Sequence, residues 1–220
     1  ALAKLMKTLL VKRIDSSFYA FKQSLNRFTV ATEAMTRMFA NGVVYIAPKL
    51  NVNEYVMEER EDELLTKMLA MQPTDPTIEI FSADDFVAGF AEGLMRDFDI
   101  LTELNEAWQS VTKDPKLDEF IRRLDTELVD KSINPSQKLV VFSESKETTS
   151  HIMKHLTKNG RTDVLEVHSH NRDKLKQVIR ENFDANIPTV AYRNDFNIII
   201  ATEVLAEGVN LHRSNVIVNY

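Results

Sequence analysis

The sequence contains no cysteine, and its 220 residues include only five glycines and six prolines. The absence of cysteine excludes disulfides, cysteine-ligated zinc sites and thiol catalysis, and it suits a reducing compartment. The scarcity of glycine and proline favours long helices over an all-β architecture. No apolar run approaches the roughly 18–20 residues that a transmembrane helix needs. We therefore expect a cytoplasmic protein that does not associate with membranes.

A concentrated basic charge is also missing. Residues 1–130 contain 15 Lys and Arg against 23 Asp and Glu, whereas residues 131–220 contain 12 against 10. A domain that binds nucleic acid tightly on its own usually gathers positive charge on one face. Any contact with nucleic acid is therefore expected to be local and shared with another domain. The 44% apolar content is ample for a buried core.

Residues 1–133 have the sequence pattern of a helical region. A charged helix is predicted from Glu58 to Met71, and Ser82 is predicted to cap a long amphipathic helix carrying Phe86 to Trp108. Asp114 followed by Pro115 predicts the start of another helix. Near the N-terminus, apolar residues recur at three- and four-residue spacings: Leu2, Leu5, Leu9, Phe18, Phe21, Leu25 and Phe28.

The pattern changes at Asn134-Pro135-Ser136, and residues 134–220 are predicted to form a second domain. Short apolar runs alternate there with helices of about a dozen residues, which is typical of a parallel α/β sheet. The predicted strands are 138–143, 164–168, 198–201 and 216–218, and the predicted helices are 147–159 and 171–184. Parallel strands present ligand-binding groups at their carboxyl ends.

The segment Ile198–Leu211 carries the clearest motif. A buried strand ends in Thr202 and Glu203, and a short helical piece leads to Gly208 and Asn210. The pattern resembles motif V of the superfamily 2 helicases and translocases, A-T-D/E-x-x-x-x-G-x-D/N. The run AEGVNL is most similar to the Swi/Snf-related bacterial branch of that superfamily.

Two further segments are similar to the same family, in the same order along about the last 85 residues. The segment KLVVFSESKETTSHIMKHL resembles motif IV, and VLEVHSHNRDKLKQVIRENF resembles the following strand and helix. Ser169 stands where the family usually has glycine, so the tight turn there is less certain. The resemblance implies a helical region followed by part of the C-terminal RecA-like lobe of an ATP-dependent motor.

A fourth segment, LLVKRIDSSFYAF, resembles the K-R-L-E-S-S helix that this branch places between its two lobes. The resemblance implies that Lys12, Arg13, Ser16 and Ser17 belong to a helix that docks between the lobes and helps to couple them. An ordinary amphipathic helix with a solvated basic turn is the alternative interpretation.

The resemblance implies two groups of binding residues. Hydroxyls at strand ends hold nucleic-acid phosphates in the family, and the matching residues are Ser143, Ser145, Lys146 and Thr202. Alternatively, Ser143 and Thr202 cap the helices that follow them. The nucleotide side is assigned to Glu207, Gly208 and Asn210, although Glu207 could equally be a solvated helix acid.

No catalytic residue and no metal site are predicted within the chain. The histidine pairs at 151/155 and 168/170 lack the further ligands that zinc requires. Neither a G-x-x-x-x-G-K-[ST] loop nor the arginine-rich motif VI is present, so the polypeptide alone is expected to be inactive. It is interpreted as a fragment whose parent protein binds ATP and Mg²⁺, while the fragment itself binds neither.

The expected partners are nucleic acid, with DNA favoured over RNA, and the N-terminal RecA-like lobe of the same parent. Two other interpretations stay open on the sequence alone. One is a non-catalytic RecA-like or Rossmann-like module that binds a nucleotide or a partner protein. The other is a helical interaction scaffold with an α/β appendage.

Overall fold

A computed structural model describes residues 2–205 and 209–220, except for the side chains of residues 2–6, 125 and 204. Two helices, α1 (Leu2–Ser16) and α2 (Phe18–Ala40), begin the chain. The protein divides into two compact units. Residues 1–21 and 113–220 form the first unit, and residues 22–112 form the second. The domain boundary after residue 133 stays a prediction.

The second unit is mainly helical and contains a small antiparallel sheet. Strands β1 (Val43–Ile46) and β2 (Glu79–Ser82) pair with Val43 opposite Ser82. Helices α3 (Val52–Met57) and α4 (Glu61–Met71) lie between these strands in sequence, and α5 (Phe90–Gln109) follows them. Neither strand was predicted from the sequence, because four-residue strands far apart in sequence give little periodic signal.

Two helices of this unit begin later than predicted. Ser82 does cap a helical turn: its hydroxyl accepts a hydrogen bond from the Asp84 amide, at 3.3 Å. That turn ends at Asp85, however, and α5 begins only after Gly89, whose φ of +83° is left-handed. Helix α4 begins at Glu61 instead of Glu58, because Glu59 takes a φ of +56° and interrupts the helix.

The first unit contains a four-stranded parallel sheet in the order β4-β5-β3-β6. This arrangement confirms the α/β fold class and the parallel pairing expected from the sequence. Its elements, in chain order, are α6 (Pro115–Arg123), β3 (Leu139–Phe142), α7 (Lys146–Lys158), β4 (Val164–Val167), α8 (Arg172–Phe183), β5 (Ile198–Ala201) and β6 (Val216–Asn219).

Helices cover both faces of this sheet. Alternate residues of β5 point to opposite sides, so Ile198 and Ile200 pack with apolar residues of α6 and α7. Ile199 and Ala201 pack on the other side with Ile179 and Phe183 of α8. Because both faces of β5 are buried, the strand reads as an uninterrupted apolar run.

Helix α6 begins where the sequence predicted. Pro115 is its first residue, and the Asp114 carboxylate accepts a hydrogen bond from the Leu117 amide at 3.1 Å. The helix continues into a π-helical turn, Leu124–Leu128. The buried side chain of Asn134 then donates to the Leu128 carbonyl at 2.7 Å and to the Lys138 carbonyl at 3.0 Å. Asn134 thereby fixes the entry of the chain into β3.

Lys138 brings a buried ammonium group to the start of β3. The residue is 2% exposed, and its Nζ donates to the Phe196 carbonyl at 2.6 Å and lies 4.8 Å from the ring centroid of Phe183. Burial, reinforced by the nearby charge of Arg213, lowers the pKa of Lys138 to about 8. Keeping Lys138 protonated in the folded state at neutral pH therefore costs folding free energy.

The depressed pKa predicts that stability rises with pH between about 8 and 10.5, the unfolded value. In that window the unfolded chain binds the proton more tightly, so raising the pH favours the folded state, by at most about 1.4 kcal/mol per pH unit. Urea unfolding at several pH values should show this rise in the wild type and lose it in Lys138→Met. Lys158→Met, which removes an exposed lysine, controls for the lost charge. An identical pH dependence in wild type and Lys138→Met would contradict the prediction.

Candidate functional site

The carboxyl edge of the parallel sheet gathers the strand-end residues. Phe142 of β3 lies level with Ala201 of β5 and with Asn219 of β6, so the residues that follow these strands emerge side by side. The Ser143 amide donates to the Ala201 carbonyl at 3.0 Å. The in-register pairing thus brings Ser143 and Thr202, far apart in sequence, to adjacent strand ends.

Ser143 has a buried hydroxyl that lacks a partner. The residue is 4% exposed, and its Oγ makes no hydrogen bond with any described residue. It caps no helix, because the N-cap of α7 is Ser145. A buried hydroxyl without a partner costs free energy. Such a group is therefore a candidate for binding a ligand oxygen.

Thr202 occupies the corresponding position after β5. It is half-buried, and its backbone amide faces the Val167 carbonyl at 3.4 Å. Its hydroxyl makes no hydrogen bond with the residues that the structure describes. The choice between a phosphate contact and a helix cap at Thr202 therefore stays a prediction.

Ser145 and Lys146 lie at the N-terminus of α7, next to this edge. Ser145 is 5% exposed, and its hydroxyl caps the helix by accepting from the Thr148 amide at 3.4 Å. The same hydroxyl donates to Glu147 Oε2 at 2.8 Å and accepts from Arg13 Nη1 at 2.7 Å. Lys146 is the first residue of α7 and is exposed.

Helix α1 packs directly against α7. The hydroxyls of Ser16 and Thr148 are hydrogen-bonded at 3.0 Å, and both residues are buried. At the start of α2, the Tyr19 ring stacks on His151, with centroids 4.3 Å apart and the planes 2° from parallel. Burial lowers the pKa of His151 and so favours its neutral form in this stack.

The basic turn of α1 lies beside the loop that follows β3. A cavity of about 240 Å³ is lined by Lys12 and by Glu144 of that loop, together with Lys116. Lys116 Nζ donates to the Asp15 carbonyl at 2.7 Å, so it caps the last turn of α1. Lys12 is exposed. The N-terminal helix therefore adds cations next to the sheet edge.

The turn between β4 and α8 forms without the glycine that the family usually has there. The Asn171 side chain accepts from the His168 amide at 2.8 Å, and the His170 amide donates to His168 Nδ1 at 3.2 Å. Ser169 has no left-handed backbone conformation. A glycine is therefore not required at this turn.

The predicted nucleotide-side residues are only partly described. Asn210 is exposed and makes no hydrogen bond with the described residues. Glu207 and Gly208 lie outside them. Within the described part of the chain, no group of three or more histidines and acids could hold a metal ion. No helix described here is both long and apolar enough to cross a membrane.

Residues 118–220 match the model of the helicase conserved C-terminal domain. The match begins in α6 and includes the whole parallel sheet, with the strand ends that carry Ser143 and Thr202. It supports a C-terminal lobe of the helicase superfamily and thus part of a helicase or translocase. The comparison with curated proteins gave no match.

The family match agrees with the resemblance found for motifs IV and V at the level of the superfamily. Assignment to the Swi/Snf-related branch stays a prediction. The strand-end residues were predicted from the sequence, but the contact of Arg13 with Ser145 was not. The KR pair in the K-R-L-E-S-S-like helix was the only signal that α1 belongs with this lobe.

Proposed function

We propose that this chain supplies the second RecA-like lobe of an ATP-dependent DNA helicase or translocase of the Swi/Snf-related bacterial branch. The observation that carries the proposal is the pairing of Phe142 with Ala201, which brings Ser143 and Thr202 to adjacent strand ends. Both hydroxyls lack partners among the described residues, and the match at residues 118–220 supports a helicase lobe.

In this proposal, the carboxyl edge of the sheet holds phosphates of the nucleic-acid backbone. Ser143 and Thr202 donate hydroxyl protons, and the exposed Lys146 adds a positive charge at the N-terminus of α7. Ser145 fixes that N-terminus, where the helix dipole favours an anion. Contacts of this kind hold the backbone without reading the bases. Weak sequence preference therefore follows from the residue types.

The nucleotide would lie on the side of Glu207, Gly208 and Asn210, facing an N-terminal lobe of the same protein. This chain has no phosphate-binding loop, and its described residues offer no acid cluster for Mg²⁺. The residues present therefore do not form an ATP site by themselves, and we assign no catalytic step to them. Closure of the two lobes would move the strand-end hydroxyls relative to the bound phosphates.

The proposal predicts that Thr202→Ala reduces DNA-stimulated ATP hydrolysis about tenfold in a protein that contains both lobes. Loss of one hydrogen bond to a charged phosphate is worth about 1.5 kcal/mol, and each 1.4 kcal/mol is a factor of ten in rate. Hydrolysis is measured against DNA concentration, with an RNA of the same sequence in parallel. Thr189→Ala, at an exposed threonine outside the strand ends, is the matched control.

Equal stimulation of the Thr202→Ala and wild-type proteins would refute the motif V assignment. The isolated 220-residue chain provides an independent test. It should hydrolyse no ATP and should bind DNA weakly and with a strong dependence on salt. Robust hydrolysis by the isolated chain would contradict the proposal.

A further inference from the structure

We infer that α1 contributes Arg13 to the nucleic-acid site, as a further phosphate-binding residue at the N-terminus of α7. The inference rests on the proposed function and deepens it. It assigns a direct contact to a helix that lies outside residues 118–220, the part matched to the helicase domain. The ligand class is a phosphodiester backbone.

The first step is that the hydroxyl of Ser145 has no capacity left. A serine hydroxyl has one proton to donate and two lone pairs that accept. The Ser145 hydroxyl donates its proton in a hydrogen bond to Glu147 Oε2 at 2.8 Å, and it accepts from Arg13 Nη1 at 2.7 Å and from the Thr148 amide at 3.4 Å. While α1 is docked, Ser145 cannot donate to a phosphate unless it gives up Glu147.

The second step is that Arg13 can take over as the donor. A guanidinium group carries five N–H donors in a planar fork that suits phosphate oxygens. The contacts of Arg13 with Ser145 and Glu147, at 2.7 and 3.2 Å, both use Nη1. Its side chain is 34% exposed, so its other nitrogens can reach a ligand at the surface.

The groups that surround Arg13 also favour an anion. The buried hydroxyl of Ser143, which lacks a partner, lies two residues before Ser145 on the same strand-to-helix connection. Exposed lysines flank Arg13 on both elements, Lys12 on α1 and Lys146 on α7. Glu147 neutralises part of the charge of Arg13, which holds the guanidinium in place without removing its donors. An anion at this point would therefore meet the guanidinium of Arg13 beside two exposed cations.

Helix α1 holds Arg13 in position through contacts that do not involve charge. The buried Ser16–Thr148 hydrogen bond and the Tyr19–His151 stack fasten the end of α1 and the start of α2 to α7. Because the guanidinium is fixed before a ligand arrives, little side-chain entropy is lost on binding. This arrangement is expected of a binding residue as well as of a packing residue.

The experiment measures binding of the 220-residue chain to a fluorescent oligothymidylate and to a DNA duplex, across a series of salt concentrations. Arg13→Ala is expected to weaken binding about tenfold at low salt. It should also reduce the slope of log affinity against log salt by about 0.7 on single strands and about 0.9 on duplex, the value for one lost phosphate contact. Arg13→Lys should keep the slope and lose a smaller part of the affinity.

Three further variants separate a direct contact from a structural effect. Ser16→Ala weakens the docking of α1 but keeps Arg13, so it should reduce the salt slope less than Arg13→Ala does. Ser145→Ala should weaken binding less than Arg13→Ala, because the Ser145 hydroxyl already donates its hydrogen bond to Glu147. Arg60→Ala removes an arginine that is bound to Glu58 and Glu63 in the second unit, and it controls for net charge.

The outcomes distinguish this inference from the proposed function. If Thr202→Ala weakens DNA binding while Arg13→Ala behaves like wild type, the inference fails and the proposed function stands. If Arg13→Ala leaves the salt slope unchanged, Arg13 acts only through packing and the inference fails. If the wild-type chain binds no DNA at low salt, both fail.

Discussion

Phe183→Ala is expected to lower the free energy of unfolding by about 3–5 kcal/mol, the usual cost of removing a buried aromatic ring. Phe183 is fully buried at the end of α8. It packs against the strand residues Val140 and Ile199, among others, and its ring lies beneath the ammonium group of Lys138. The substitution therefore removes apolar contacts from one face of the sheet and a cation–π contact from a buried lysine.

Urea unfolding monitored by circular dichroism measures this loss. Phe183→Leu is the matched control, since it keeps most of the apolar volume and loses only the aromatic ring, and it should cost clearly less than the alanine variant. A loss below about 1 kcal/mol for Phe183→Ala would mean that the α8 face of the sheet contributes little to stability, contrary to the packing described above.

The parallel sheet could be predicted from the sequence because its strands are buried on both faces. Apolar runs such as Ile198–Ala201 leave few alternatives when they alternate with helices of a dozen residues. The strands β1 and β2 were missed for the opposite reason, since they form a half-exposed pair whose partners are distant in sequence. Helix α5 begins late because Gly89 adopts a left-handed backbone conformation. That conformation depends on the neighbouring backbone, which the apolar pattern of the sequence does not describe.

The candidate site was predictable only in part. Ser143 and Thr202 were predicted from the resemblance to motifs IV and V, and the strand assignments place both residues at strand ends. The occupation of the Ser145 hydroxyl by Arg13 could not be predicted, because it depends on how α1 packs against α7. Sequence periodicity tells which face of a helix is apolar, but it does not say which other helix that face will meet. Lys12 and Arg13 of α1 contributed to the family resemblance, but they did not predict the contact between Arg13 and Ser145.

The second large effect is expected for the contact between these helices: Thr148→Val should weaken the docking of α1 by about 1–3 kcal/mol. Thr148 is fully buried, and its hydroxyl is bonded to Ser16 at 3.0 Å and to Ser17 at 3.3 Å. Valine has nearly the same shape but no hydroxyl. Ser17 keeps a bond with the Ala20 amide, whereas the buried hydroxyl of Ser16 loses the Thr148 oxygen.

Hydrogen exchange locates this effect within the first unit. Amides of α1 should exchange about 5- to 150-fold faster in Thr148→Val than in wild type, the factor that corresponds to the lost docking energy. Amides of β5 should change much less, because the apolar core of the sheet is untouched. Thr148→Ser, which keeps the hydroxyl and loses only a methyl group, should preserve more of the protection of α1 than the valine variant does.

Unchanged exchange of α1 in Thr148→Val would contradict the view that buried hydroxyls fasten this helix to the lobe. If the acceleration is found, it also bears on the proposed phosphate site, since undocking of α1 withdraws Arg13 from Ser145. The hydroxyl of Ser145 would then regain an acceptor site, and the N-terminus of α7 would lose its guanidinium. In the proposed site, the docking of α1 therefore determines which donors the N-terminus of α7 can offer to a phosphate.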